Sequence, residues 1–471
     1  MINISKDFLK SNKMKEFEFS RLPINVPKVQ TKNRLISTPI PSPGTNNILS
    51  NLEQYESRSM QGQIPIVWDR AEDFNVYDKH GNKWIDFTST IFVANVGHGN
   101  QHVCNAVKEV LEKPLLHTYA YMNEERVRYH QKLVEFAGPP FEKAFLLSAG
   151  TESTEAALKL MRMNGRKIGK KRLGIICVEG NWHGRTMGAQ MMSGNPSQKD
   201  WIGYHDPHIH HIPFPYPWVL NGKTGAEFLE IGLGKLQKSG IDLDDDICGF
   251  MLETFQGWGA VFYPKDFVQA IEDICKKYNI LLTFDEMQSG FARTGKKFGY
   301  EHYCVQADLL CCGKGIASGF PLSAVIGTTE IMDLPDVGNM SSTHSANPIV
   351  CAAGLATLEE IERLELVQET ERKGQILFDK LNELKEKYPD RISWVLGNGL
   401  IAALIFKLPG ELKPDTVFPS WVSEKALQKG LLVVHTGRES IKLGPPLTIS
   451  NEALIEGVNV LDESISEVLN N

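Results

Sequence analysis

Between Leu281 and Gly319 the chain reads LLTFDEMQSGFARTGKKFGYEHYCVQADLLCCGKGIASG, and this stretch constrains the fold more than any other. Leu281–Phe284 is an apolar run with no polar alternation, the pattern of a strand buried on both faces of a parallel sheet. It ends on two acids, Asp285 and Glu286. A Gly-rich loop follows, then a second apolar run, Asp308–Cys312, and then a lysine between glycines, Gly313-Lys314-Gly315. In open α/β sheets the functional groups gather where strands end at their carboxyl edge. An acid at one such end and a glycine-flanked lysine at another are what a pyridoxal 5'-phosphate site needs. The lysine bonds the cofactor aldehyde, and the acid pairs with the ring nitrogen so that the ring draws off electrons. Alone, either feature is common and purely structural.

The flanking sequence has the matching alternation. VCNAVKEVLEK is amphipathic at helical spacing, and AFLLSAG is a strand that runs into the helix TESTEAALKLMRM. LGIICVEG, ICGFMLET and ILLTFDE are further buried strands with helices between, which predicts a largely parallel, doubly wound sheet. Before it, IPIVWDRAEDFNVYDKHGNKWIDFTST reads as a small meander of short strands. Residues 1–45 show no period and end in the linker-like TPIPSPGT. Long helices follow Asn347, and then a mixed C-terminal part.

Composition removes several function classes. At 471 residues the chain exceeds one compact core. A formal net charge of -7 argues against a nucleic-acid surface. No apolar run approaches the roughly 18 residues of a membrane span. The N-terminal stretch has acids among its bases and no apolar core, so neither a secretory signal nor a transit peptide fits. Eight cysteines without a C-x-x-C pair suit a reducing cytoplasm. His205, His208, His210 and His211 cluster in HDPHIHHIPFPYP, but their spacing fits no ordinary zinc pattern, and no metal is expected. No G-x-G-x-x-G follows the first α/β strand, which disfavours a nicotinamide enzyme.

DEMQSGFARTGKKFGYEH followed by CCGKGIASGFPLSAVIG resembles the segment of class III (ω-type) aminotransferases that carries the cofactor aspartate and lysine. The resemblance runs from about Pro41 to the C-terminus and is long and ordered. It implies pyridoxal-phosphate fold type I, a mostly parallel seven-stranded sheet with helices on both faces plus a smaller α+β domain. The implied division is an arm at 1–45, a first small-domain segment at 46–100, a cofactor-binding domain at 101–346 and a second small-domain segment at 347–471. It also implies a homodimer with shared active sites, an amine donor and a keto acid or aldehyde acceptor.

Residue by residue, the resemblance makes Lys314 the cofactor lysine and Asp285 the ring-nitrogen acid. Gln288 would donate to the phenolic oxygen, Trp182 would stack on the ring, and His183 beside it joins the cofactor-binding set. Gly150 and Thr151, where a strand joins a helix, would hold the phosphate with backbone N–H groups and a hydroxyl. Thr343, in SSTHSANP, would give a second phosphate donor to the other subunit. Glu253 matches an active-site acid, either chemical or scaffolding.

The substrate side departs from the family pattern. Relatives that use glutamate or γ-aminobutyrate have a Glu in the segment aligned with ETFQGWGAVFYP and an Arg shortly before PPL. Here Trp258 and Lys442 stand there. A lysine lacks the planar fork that an arginine offers a carboxylate. Arg185 is expected to remain as a carboxylate anchor, either Lys442 itself or Arg438 would take the place of the missing arginine, and Phe92 is a candidate pocket residue. The expectation is transfer of an amino group from a primary amine away from an α-carboxylate: an ω- or β-amino acid, a diamine or an amino sugar. The alternative on the same fold is a racemase, aminomutase or decarboxylase.

Overall fold

The computed structural model describes residues 17–60 and 64–470, so residues 1–16 of the expected arm lie outside it. The chain divides into two compact units, one of residues up to Asn100 together with those from Arg372 onward, the other Gln101–Glu371. The sequence-based boundary after residue 346 and the observed one after Glu371 differ by the helix Pro348–Arg363 and the start of the next, Leu366–Lys387.

The larger unit is built on a seven-stranded sheet. Its strands are β1 (Lys143–Leu147), β2 (Gly174–Val178), β3 (Ile209–Ile212), β4 (Ile247–Glu253), β5 (Leu281–Asp285), β6 (Leu309–Cys312) and β7 (Ser323–Gly327). They lie in the order β1-β7-β6-β5-β4-β2-β3. β7 runs antiparallel to both of its neighbours, and every other pairing is parallel. β2, β4, β5, β6 and β7 are buried at every position, which explains why their sequences show no alternation.

Helices α1 (Gln101–Glu112), α2 (Glu124–Ala137), α3 (Gly150–Lys167), α4 (Gly225–Lys238), α5 (Lys265–Tyr278) and α6 (Pro348–Arg363) complete this unit. Their starts are signalled chemically. Asn123 accepts from the Arg126 amide ahead of α2, and Asn347 accepts from the Val350 amide ahead of α6, with Pro348 as the first helical residue. α3 lays Ala157, Leu160 and Met161 against Ile175, Cys248 and Met251 of the sheet. Each such side chain contributes about 1.5–3 kcal/mol on burial. α3 starts directly after β1, so this packing fixes where its N-terminus points.

In the smaller unit the expected meander is present: Arg70–Glu72, Asn75–Tyr77 and Lys83–Asp86 pair antiparallel. Leu431–Leu432 joins the same sheet beside Ile85 and Asp86, so the two ends of the chain share one sheet. Residues 24–40 add a ribbon, Val29–Gln30 against Leu35–Ile36. Two-residue strands are too short to leave a period in the sequence, so nothing there marks them. A second, antiparallel sheet consists of Ile392–Asn398, Ile401–Phe406, Ser440–Leu443 and Val434–His435.

Candidate active site

Strand register assembles the site. Asp285 at the end of β5 pairs with Glu253 at the end of β4 and with Cys311 of β6. Because β7 is reversed, its start lies beside both Leu147 of β1 and Cys312 of β6. The segments that leave β1, β2, β4, β5 and β6 therefore emerge at one edge of the sheet. They carry Gly150 and Thr151, Trp182 to Arg185, Glu253, Asp285 to Gln288, and Lys314.

The two neighbouring acids at the end of β5 have different surroundings. Glu286 points into the protein and is completely buried. It accepts from the Thr254 and Ser289 hydroxyls, each at 2.6 Å, and from the Gly299 and Tyr300 amides, each at 2.8 Å. Burial pushes its carboxyl above the usual range despite these four donors. Glu286 thus ties the Gly-rich loop to the strand. Asp285 points to the edge, where Oδ2 lies 2.9 Å from His183 Nδ1 and Oδ1 accepts from the Met287 amide at 3.1 Å. His183 is itself buried, and its Nε2 has no hydrogen-bond partner among the described residues.

Lys314 leaves β6 with φ 48°, a left-handed conformation that costs a non-glycine residue about 1 kcal/mol or more. Burial pushes its amine below the ordinary value of 10.5, and the charges of Asp285 and Glu253 pull the other way. Glu253 Oε2 accepts from the Trp182 amide at 2.9 Å, and Gln288 Nε2 lies 3.5 Å from Glu253 Oε1. Glu253 therefore fixes the backbone that presents Trp182. The Arg185 guanidinium carbon lies 4.5 Å from the Trp182 ring centroid, a cation–π pair.

Around the start of α3, Glu152 accepts from the Ser148 and Ala149 amides, at 2.8 and 2.9 Å. The first-turn amides of Gly150 and Thr151 have no intrahelical acceptor, which makes this end an anion site. Thr151 Oγ1 is 2.6 Å from Thr186 Oγ1, and Thr154 donates to the His183 carbonyl at 2.7 Å. The loop after β2 is thereby clamped to the helix. Gly184 (φ 136°) permits the close approach, since a Cβ there would overlap Thr151.

The remaining sequence candidates have other partners. Trp258 donates to Gln256 Oε1 at 2.9 Å and lies 3.3 Å from the Tyr216 hydroxyl, within an aromatic group that includes Trp218. Thr343 is exposed, and its carbonyl lies 2.6 Å from His117 Nε2. Phe92 and Lys442 belong to the smaller unit, and there they meet: Lys442 Nζ stands 4.4 Å from the Phe92 ring centroid. Phe92 closes a run of four left-handed residues, Ser89 to Phe92, with φ between 45° and 68°. Thr90 and Ile91 are β-branched, so this run is strained, and Ser89 Oγ pins it to the Gly444 carbonyl at 2.6 Å. Arg438 pairs with its neighbour Glu439 at 3.1 Å. Among the described residues, no group of His, Cys, Asp or Glu is arranged to hold a metal.

The donor set fits pyridoxal 5'-phosphate. It offers free first-turn amides at a helix start, a buried carboxylate held by His183 Nδ1, and an amine whose pKa burial lowers. The sequence reading missed Met287, which sits between Asp285 and Gln288 and fills the gap between Gly150 and Gly313. Its place between two site residues on one strand-end turn is the signal that could have found it.

The chain is similar to known proteins along most of its length. The family described as aminotransferase class-III matches residues 57–465. The acetylornithine aminotransferase of Caldanaerobacter subterraneus subsp. tengcongensis is 31% identical over 86% of this chain and 96% of its own length. The 4-aminobutyrate aminotransferase of Mycobacterium leprae is 30% identical over 93% and 99%. The solved ornithine aminotransferase of Toxoplasma gondii, with partial occupancy of PLP at its active site, superposes with TM-score 0.79 at 26% identity, covering 90% of this chain and 95% of that one.

Proposed function

The chain belongs to the class III aminotransferases, pyridoxal-phosphate enzymes of fold type I, and from that premise we propose that Lys314 and Asp285 are its catalytic pair. The observation that carries this reading is the Lys314 amine, its pKa lowered by desolvation, at the sheet edge where Asp285 is fixed by His183. When bound, the cofactor supplies an aldehyde that a primary amine attacks and a ring that draws electrons from the carbon bearing that amine. Lys314 Nζ holds the cofactor at rest, then takes the proton from that substrate carbon and returns one in the reverse half-reaction. Asp285 would pair with the ring nitrogen of the bound cofactor, and His183 and the Met287 amide hold its two oxygens in place. Gly150 and Thr151 would take the phosphate, Trp182 would cover the ring face, and Gln288 would serve the phenolic oxygen, with Glu253 orienting both Trp182 and Gln288.

A lowered amine pKa has a measurable consequence. Because burial lowers the Lys314 pKa, its reactive fraction saturates at lower pH than that of an exposed lysine. The rate at which cofactor-free protein captures the aldehyde is expected to rise with pH and level off below 10.5. Stopped-flow absorbance between pH 6 and 11 checks this. A rate still climbing in proportion to hydroxide at the upper end contradicts it.

For the substrate, we propose a primary amine away from an α-carboxylate, with Arg185 as carboxylate anchor and Phe92, Trp258 and Lys442 as further contacts. The relatives named for acetylornithine and 4-aminobutyrate support this class, and the strained turn that presents Phe92 supports a functional role for it. A homodimer is proposed on two grounds. Leu115, Leu116, Tyr121 and Met122 form an exposed apolar stretch between α1 and α2, and Thr343 is exposed, as a phosphate donor to a second copy must be. A cytoplasmic setting is proposed from eight cysteines that are all free. The division into arm, paired small-domain segments and cofactor-binding domain is likewise proposed. A panel of ω-amino acids, β-amino acids, diamines and amino sugars against pyruvate and 2-oxoglutarate tests the substrate class. Turnover confined to α-amino acids would overturn it.

A further inference from the structure

Met287 occupies an unusual slot. Its Sδ lies 2.7 Å from where a Cβ on Gly150 would stand, and it is closer still to that of Gly313. Its Cε and Cγ reach within 3.2 and 3.5 Å of the same Gly150 position. Two bare backbones therefore wall the sulfur in, one at the start of α3 and the other immediately before Lys314. The residue is half-buried at the open edge of the sheet, and its own amide holds Asp285.

The cysteines of the sheet are chemically quiet, whereas Met187, beside Thr186, is an exposed thioether to be mapped alongside Met287. Cys311 and Cys312 are completely buried, and burial drives their thiols far from ionising. Cys177 and Cys248 are also fully buried, with thiols pushed up to about 12. Peroxides attack thiolates, so these four resist them. A thioether needs no ionisation to react.

We propose that Met287 is an oxidative modification site that controls cofactor binding. A hydroperoxide transfers one oxygen to Sδ: its O–O bond breaks, the sulfur loses two electrons to become the sulfoxide, and the remaining oxygen leaves as water or alcohol. The new oxygen makes a side chain seated against Gly150 and Gly313 larger and polar. It is also a strong acceptor beside the free amides that start α3, where it competes with the phosphate. Reduction by a methionine sulfoxide reductase with a dithiol reverses the change.

The inference rests on the cofactor site assigned above. Cofactor-free and cofactor-loaded enzyme are exposed to dilute hydrogen peroxide, sulfoxide is mapped by peptide mass spectrometry, and pyridoxal-phosphate binding is measured by equilibrium dialysis. Met122, 92% exposed, serves as the internal control for oxidation. Oxidised cofactor-free protein is expected to bind the cofactor about tenfold more weakly or worse, the loaded enzyme to be protected at Met287, and peroxide treatment to leave the affinity of Met287→Leu at that variant's own untreated value. Equal loss in Met287→Leu, or full oxidation of Met122 with Met287 untouched, overturns the proposal. If Met287→Leu itself fails to bind, wild-type protein decides: lost binding capacity must track the Met287 sulfoxide fraction, and independence of the two overturns it. Failure of unoxidised protein to bind at all would instead indict the cofactor site.

Discussion

Lys314→Ala is expected to abolish amino-group transfer, with a fall of about 10,000-fold or more, because one side chain both holds the cofactor and moves the proton. The fold should survive. Lys314 carries a left-handed backbone and a buried amine, so the substitution removes a desolvated group and leaves the strand pairing of β6 with β5 and β7 untouched. Cofactor is still expected to enter the site, through Gly150, Thr151 and Trp182, without the absorbance of the covalently held form. A small exogenous amine supplied in solution should restore part of the proton transfer, which a merely misfolded variant would not show. Retention of more than about a tenth of the wild-type rate would contradict the assigned role.

Asp285→Asn is the second large effect, expected to lower kcat by about 1,000-fold, or about 4 kcal/mol. The amide keeps the shape of the side chain and still accepts from the Met287 amide, so the loop after β5 retains its path. It removes the charge that keeps the ring nitrogen protonated. It also presents an N–H toward His183 Nδ1, now 2.9 Å from a carboxylate oxygen, and forces that ring into its other tautomer. The expected pattern is a collapse of kcat with cofactor still bound and the protein still folded. A variant that loses cofactor but keeps kcat once saturated would assign Asp285 to binding alone.

The sequence exposed the parts of this site that ride on long buried runs. β5 and β6 are uninterrupted apolar segments, so the residues that end them, Asp285 and Gly313-Lys314, could be located to the residue. Helix α3 was equally legible, because a strand runs straight into it and leaves its first amides at the edge. Side-chain direction was not. Asp285 and Glu286 are adjacent acids with nothing in the sequence to say that one faces the site and the other takes four donors from its own loop. Contacts between distant segments were also hidden. The cation–π pairs of Arg185 with Trp182 and of Lys442 with Phe92, and the seating of Met287 between two glycines, depend on how loops close, which no local period records. The left-handed turn at Ser89–Phe92 runs against local preference, since Thr90 and Ile91 disfavour that conformation. Such conflicts mark functional segments more often than framework ones.

The most direct test of the account is reductive trapping. Enzyme saturated with pyridoxal 5'-phosphate is treated with borohydride, digested and mapped by mass spectrometry. A pyridoxyl group on the peptide containing Lys314, in near-stoichiometric yield and absent after Lys314→Ala, is the predicted result. Label spread over surface lysines, or concentrated on any other residue, would contradict it.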